Sequence, residues 1–273
     1  MNPDTIRKKI ESEFSDIFKD EDNLIFEVES GAYGHSAGDA IEGWLKSNLL
    51  KNGWDVYYTH EFLSEVFPLI GKDKTNIINY LDNLWWGNLI HTKRQINDFI
   101  KGEEIGPFQQ SGADIVLFYG NNIDTEPEKL ILINAKSHNI DRMSRAPNII
   151  SAQKILTYFK DTLQKDSDMI NNFEYWFFGV NNTQISPKLG KVESIHIKDL
   201  FKIDTDCISQ INFDAAIQIQ FHLADMPEIK QTKLEFIDRL SDLFIEKWKI
   251  HSERKEKKYE KLYDDIKKEL LYH

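Results

Sequence analysis

The chain has 273 residues, with 34 basic and 45 acidic side chains for a net charge of −11, 41% hydrophobic residues and 12% aromatic ones. This is apolar enough for a large packed core and too apolar for disorder, and the acidity excludes a uniformly basic nucleic-acid coat while permitting a local basic groove. A lone cysteine, Cys207, excludes a disulfide framework or a cysteine zinc site, and with no apolar run near the roughly 20 residues of a membrane span and no signal-peptide core at the N-terminus, a soluble cytoplasmic protein is expected.

The first segment reads as a helix, with Asp4 as N-cap and Ile6, Ile10, Phe14 and Ile17 at helical spacing. A glycine-spotted loop, Gly31 to Gly38, leads into a second helix over Asp39 to Leu50, with Ile41, Trp44, Leu45 and Leu49 turned inward. The loop lacks the Gly-Lys-Ser/Thr ending of a phosphate cradle, so no nucleotide cofactor is expected. A short strand is predicted at Asp55 to Thr59, and residues 61–100 read mostly as helices.

Two apolar runs follow, Ala113 to Tyr119 (ADIVLFY) and Leu130 to Lys136 (LILINAK), around a polar turn. They predict an antiparallel hairpin covered on both faces. Pro147 is expected to open a helix reaching about Leu163, because its missing N–H costs nothing there. Further strands are predicted at Phe173 to Val180, Val192 to Ile197 and, half-exposed, Ala216 to His222. From Thr232 the chain reads as helix, densely charged after Lys249 and solvated. With no repeat or low-complexity linker, one domain over residues 1–273 is expected.

Chemistry concentrates on the hairpin. Asp114 opens its first strand, and Asn134 and Lys136 close its second. The start of one antiparallel strand lies beside the end of the next, and residues two apart share a face. Asp114, Asn134 and Lys136 can therefore converge, with the Ala135 carbonyl beside them. Oxygen donors suit Mg²⁺, and a lysine beside a bound water can position a nucleophile. The pattern Asp-x(n)-(Asp/Glu)-x-Lys belongs to phosphodiester hydrolysis, but Asn134 stands where a second acid is expected. By itself the pattern is weak, since many strands end in polar residues and lysine.

Neighbouring segments strengthen it. Glu42 sits mid-helix among inward residues, where a carboxylate needs a partner or a metal; a solvated helix face is an equal alternative. Residues 139–154 (NIDRMSRAPNIISAQK) carry Arg142, Arg145 and Lys154 against Asp141 alone, with Asn148 expected in the first helical turn. Arginines, asparagines and helix N-termini read bases and phosphates. Composition alone favours an ordinary loop and helix. His138, two residues past Lys136, is expected to be solvated, and Cys207 to be an inert thiol.

These blocks resemble the HincII/HindII type II restriction endonucleases of the PD-(D/E)xK nuclease superfamily. The resemblance is carried by GHSAGDAIEGWL (34–45), ADIVLF (113–118) leading to LINAKSHNI (132–140), APNIISAQK (146–154) and AAIQIQFH (215–222). It implies an α/β (α+β) fold: a central mixed β-sheet flanked by helices, with helical additions at both ends. It also implies a homodimer on double-stranded DNA, cutting both strands of a short palindrome of the GTYRAC type with Mg²⁺, for which Mn²⁺ substitutes. By motif, Asp114, the residue at position 134 and the Ala135 carbonyl hold metal, and Lys136 is catalytic. Asn148 matches a base-reading asparagine in the DNA-reading segment 139–163, which also contains Ala146, and Gln109 and Asn212 fall at other DNA contacts. Arg145 replaces a glutamine that wedges into the base stack.

Asn134 departs from the family aspartate. Three readings stay open: a weakened site rescued by another acid, for which Glu42 is the candidate; an engineered inactivation; or a natural DNA-binding dimer without turnover. A repair or resolving nuclease is a weaker alternative. A homodimer would double the negative charge, so the acids must lie outside the groove. The first 22 residues hold seven acids against four bases, and DNA affinity is expected to fall steeply with salt.

Overall fold

A computed structural model describes residues 1–28, 33–107, 112–141, 146–214 and 217–272, with side chains left aside at 33–36 and 271–272. Helix α1 (Pro3–Ile17) is capped by Asn2, whose Oδ1 accepts the Thr5 N–H at 2.8 Å. The cap therefore lies two residues before the expected Asp4, because Pro3 sits at the helix start, where no N–H is needed. Ile6, Ile10 and Phe14 are buried as the spacing predicts. Strand β1 (Ile25–Glu27) precedes helix α2 (Tyr33–Lys51). Helix α2 begins six residues before the expected Asp39, so most of the supposed glycine loop is helical, and residues 29–32 lie outside the described part.

Strand β2 (Asp55–Tyr58) leads to helices α3 (Thr59–Ile70), α4 (Lys74–Asp82), α5 (Gly87–Ile90) and α6 (Lys93–Lys101). Strands β3 (Ile115–Phe118) and β4 (Leu130–Asn139) form the expected antiparallel hairpin, with Ile115 opposite Ile133. Strands β6 (Tyr175–Ser186) and β7 (Leu189–Asp199) form a second hairpin, longer than the apolar runs alone suggest. The six-stranded sheet has the order β1-β7-β6-β4-β3-β2. It is mixed: β4 and β6 are parallel and every other pair antiparallel.

Each face of the sheet carries its own core. Val116, Leu132, Tyr175 and Phe177 lie on one side with Phe62, Phe159 and Phe236. Ile115, Ile131, Ile133 and Phe178 lie on the other, with Ile10, Phe14, Ile41 and Leu45 of α1 and α2. Both alternating sets of β3 and β4 are therefore buried, which is why the strands read as unbroken apolar runs.

The segment after Pro147 departs from expectation. Asn148 to Ser151 form strand β5 (Asn148–Ser151), and only then does helix α7 (Ala152–Lys165) begin. Ser151 caps α7, its side chain accepting the Lys154 N–H. The β-branched pair Ile149–Ile150 favours the extended form, and pairing with strand β9 (Gln218–Gln220) satisfies it. Strand β8 (Gln210–Asn212) completes a three-stranded sheet, β5-β9-β8. Flanked on both edges, β9 buries Ile219 and Gln220 and is shorter and less exposed than expected; Ala216 lies outside the described residues. Helix α8 (Lys233–Tyr272) runs to the end of the described chain. No described helix is long and apolar enough to cross a membrane.

Candidate active site

The hairpin brings Asp114, just before β3, beside Ile133 to Ala135 in the middle of β4. Its backbone N–H donates to the Ile133 carbonyl at 3.0 Å, and its Oδ2 accepts the Ala135 N–H at 2.8 Å. Helix α2 packs on β4 and presents Glu42 from its inner side. Glu42 is half-buried, and its carboxyl is pushed up to about 8 by burial, by the Asp114 carboxylate and by Asp39, against the pull of Lys136. Burial likewise pushes Asp114 up, against the Lys136 charge and the Ala135 N–H. Glu42, Asp114 and Lys136 thus form one electrostatic cluster. Half-buried on α2, Glu42 does not lie on a fully solvated helix face.

Asn134 is buried on the same strand. Its Nδ2 donates to the Tyr175 hydroxyl at 3.1 Å, and that hydroxyl donates to the Gly112 carbonyl. The phenol has one proton and spends it on Gly112, so the amide must turn N–H toward Tyr175. Asn134 Oδ1 is then a buried oxygen with no hydrogen-bond partner, an arrangement that costs free energy unless something else satisfies it. Burial and the Asp114 charge keep the Tyr175 hydroxyl protonated well above its ordinary range.

The donor set fits a hard divalent cation. It offers two carboxylates whose charges oppose each other, an orphaned amide oxygen and the Ala135 carbonyl; oxygen donors of this kind are what Mg²⁺ takes. Among the described residues no cluster of three or more His, Cys, Asp or Glu side chains is arranged to hold a metal.

The DNA-side candidates divide. Asn148 is exposed on β5, not in a helical turn, and its Oδ1 accepts from Gln220 Nε2 at 2.6 Å. Gln220 in turn accepts from Gln210 Nε2, so carboxamides run across all three strands. Asn212 lies on β8, and its Oδ1 accepts the Asp214 N–H at 3.0 Å. Ala146 is half-buried beside Pro147, and Lys154 is exposed, lining a cavity of about 600 Å³ with His91, Thr92 and Gly112. Gln109, Arg142 and Arg145 lie outside the described residues.

Several participants escaped the sequence reading. Asp39 stands three residues before Glu42, one turn of α2 away, and that spacing was a usable signal. Tyr175 had none, because only the parallel register of β4 with β6 brings it near Asn134. His138 is not simply solvated: its ring lies 4.8 Å from that of His222. Cys207 is exposed on a short helical turn.

A family model described as restriction endonuclease HincII matches residues 27–268. The chain belongs to this family. It is 27% identical over 208 residues to the type II restriction enzyme HincII of Haemophilus influenzae, covering 71% of this chain and 73% of that protein. The HindII enzyme of Haemophilus influenzae matches to the same extent. The mixed six-stranded sheet flanked by helices is the restriction-endonuclease-like fold expected of the family.

Proposed function

We propose that this chain is a type II site-specific endodeoxyribonuclease, acting as a homodimer on a short palindrome in duplex DNA and dependent on Mg²⁺. The observation that carries this reading is the convergence of Glu42, Asp114 and Lys136 beside the middle of β4. Asp114, Glu42, Asn134 Oδ1 and the Ala135 carbonyl would hold the cation, and Glu42 supplies the second negative charge that Asn134 lacks. When bound, Mg²⁺ would supply Lewis acidity toward the phosphate and a lowered pKa for attacking water. Lys136 holds that water in line with the scissile phosphorus. As the water oxygen bonds to phosphorus and gives up a proton to solvent, the P–O3′ bond breaks and the leaving O3′ takes a proton from solvent, leaving a 5′-phosphate and a 3′-hydroxyl. The Ala135 N–H fixes the Asp114 carboxylate, so little reorganisation accompanies the reaction. Asn148, Asn212, Gln109, Ala146, Lys154 and the two arginines of the 142–145 segment are assigned to the DNA interface.

The test is cleavage of plasmid DNA in Mg²⁺ and in Mn²⁺, with the ends sequenced. The native chain should cut at a palindrome, Asn134→Asp should cut faster, and Lys136→Ala should lose about a hundredfold or more. Full activity in Lys136→Ala would discard the mechanism, and equal rates for Asn134→Asp would remove Asn134 from the metal set. The Asn134–Tyr175–Gly112 chain favours one other reading, a DNA-binding dimer with little turnover, because the amide is integrated into its surroundings. That reading requires tight gel-shift binding to a palindrome with no cleavage in either metal.

A further inference from the structure

The register of the central strands places a second group of side chains beside Lys136. Lys136 of β4 pairs with Gly179 of β6, which pairs with His196 of β7. One step on, His138 pairs with Asn181, which pairs with Ser194. Positions two apart on a strand share a face and lie about 7 Å apart, so these two rows face the same way. At their centre Gly179 contributes no side chain. A Cβ there would meet the Leu223 side chain at 2.7 Å, so the hollow depends on glycine. The turn carrying His222, Leu223 and Asp225 closes the far wall, and the whole encloses a cavity of about 290 Å³.

We propose that this hollow is a phosphate subsite, holding a backbone phosphate of the DNA strand next to the one being cut. The inference rests on the nuclease reading above, which puts Lys136 at the scissile phosphate. The ammonium of Lys136 and the imidazoles of His138 and His222 are the kind of donors that bind phosphate oxygens, and His196, whose Nε2 accepts from Asn181 Nδ2, lines the wall beside them. The groups are already organised. The His138 and His222 rings stand edge to face at 70°. Asn181 Nδ2 lies 3.0 Å from Ser194 Oγ and 3.3 Å from His196 Nε2, and Ser194 Oγ lies 3.1 Å from the same nitrogen. Asp225 is the one carboxylate among the described lining residues. Burial pushes His138 and His196 below the ordinary imidazole range, with His222 lowering the first further and Lys198 the second, and Asp225 offsets only part of this. Its charge supports imidazole protonation but repels an incoming anion directly.

The experiment follows the side-chain ¹H–¹⁵N resonances of the histidines in the metal-free protein as inorganic phosphate is added. His138, His196 and His222 should shift together and saturably. His138→Gln with His222→Gln should abolish the shift of His196, and Asp225→Asn should tighten phosphate binding severalfold. In parallel, the salt dependence of duplex binding is measured in Ca²⁺ for the native chain and the double variant. At a pH low enough to protonate the pocket imidazoles, the slope of log K against log salt should be shallower in the double variant by about 0.9 for each pocket engaged. Absence of a saturable shift overturns the subsite. A shift with an unchanged DNA slope also overturns it, since the hollow would then take free phosphate and not the strand. Failure to cut any DNA would sink the nuclease reading while leaving the phosphate titration interpretable.

Discussion

Glu42 sets how the unliganded site responds to pH. Its folded value of about 8 lies above the 4.5 of an unperturbed glutamate. Between those values the folded chain binds more protons than the unfolded one. The contribution therefore favours folding below about pH 4.5 and is lost as pH rises through about 8. The metal-free protein is expected to lose on the order of a few kcal/mol of stability across that window, read by chemical denaturation in a chelator. Glu42→Gln should flatten the dependence and stabilise the alkaline end. An unaltered slope in the variant would show that Glu42 ionises freely. Asp114 is displaced in the same direction, so some dependence should survive. Asn134→Asp would add a third acid to the same cluster and make the Gly112 carbonyl compete for the Tyr175 proton. Any gain in cutting should come with lower stability in chelator.

The small sheet β5-β9-β8 positions the base-reading candidates. Its amides are held by one another: the buried Gln220 donates its Nε2 to exposed Asn148 Oδ1, and Gln210 donates to Gln220. With its oxygen engaged, the exposed Asn148 amide is left its N–H₂ group as a donor, the type that suits an acceptor on a purine edge in the major groove. Gln220→Leu should free that amide to rotate and reduce discrimination at one base position by about 1–3 kcal/mol. Competition binding with single-base variants of the preferred palindrome reads this directly, and retained discrimination would show that Asn148 needs no support from β9. The element became visible only in three dimensions. Pro147 before a mixed run is an ordinary helix start, and the alternative depends on β9, whose Gln220 lies 72 residues from Asn148.

Across the molecule, charge and packing are unevenly spread. Helix α8 contributes Phe236, Ile237 and Leu240 to the core, and Phe244, Trp248 and His251 surround Phe213. Lys255 reaches Asp214 at 2.6 Å. Beyond it, Tyr259, Leu262, Tyr263, Ile266 and Leu270 are all at least half exposed. Truncation after Lys257 should therefore move the thermal midpoint of the metal-free chain by no more than about 2 °C. A larger loss in dilute solution would place the exposed end in a stabilising contact with another chain.

The hairpin and the convergence of Asp114, Ala135 and Lys136 were determined by the sequence itself, because they depend on chain-local rules: two apolar runs, a turn, and side-chain alternation. The inward apolar face of α2 was legible for the same reason, but not whether Glu42 belongs to it or to a solvated face. Tertiary structure alone decided that Tyr175 orients the Asn134 amide, that β5 replaces the first turn of a helix, and that histidines from three segments meet beside Lys136. Those pairings join residues 41 or more positions apart. Strand register, which no local pattern encodes, selects them from many sterically equivalent alternatives.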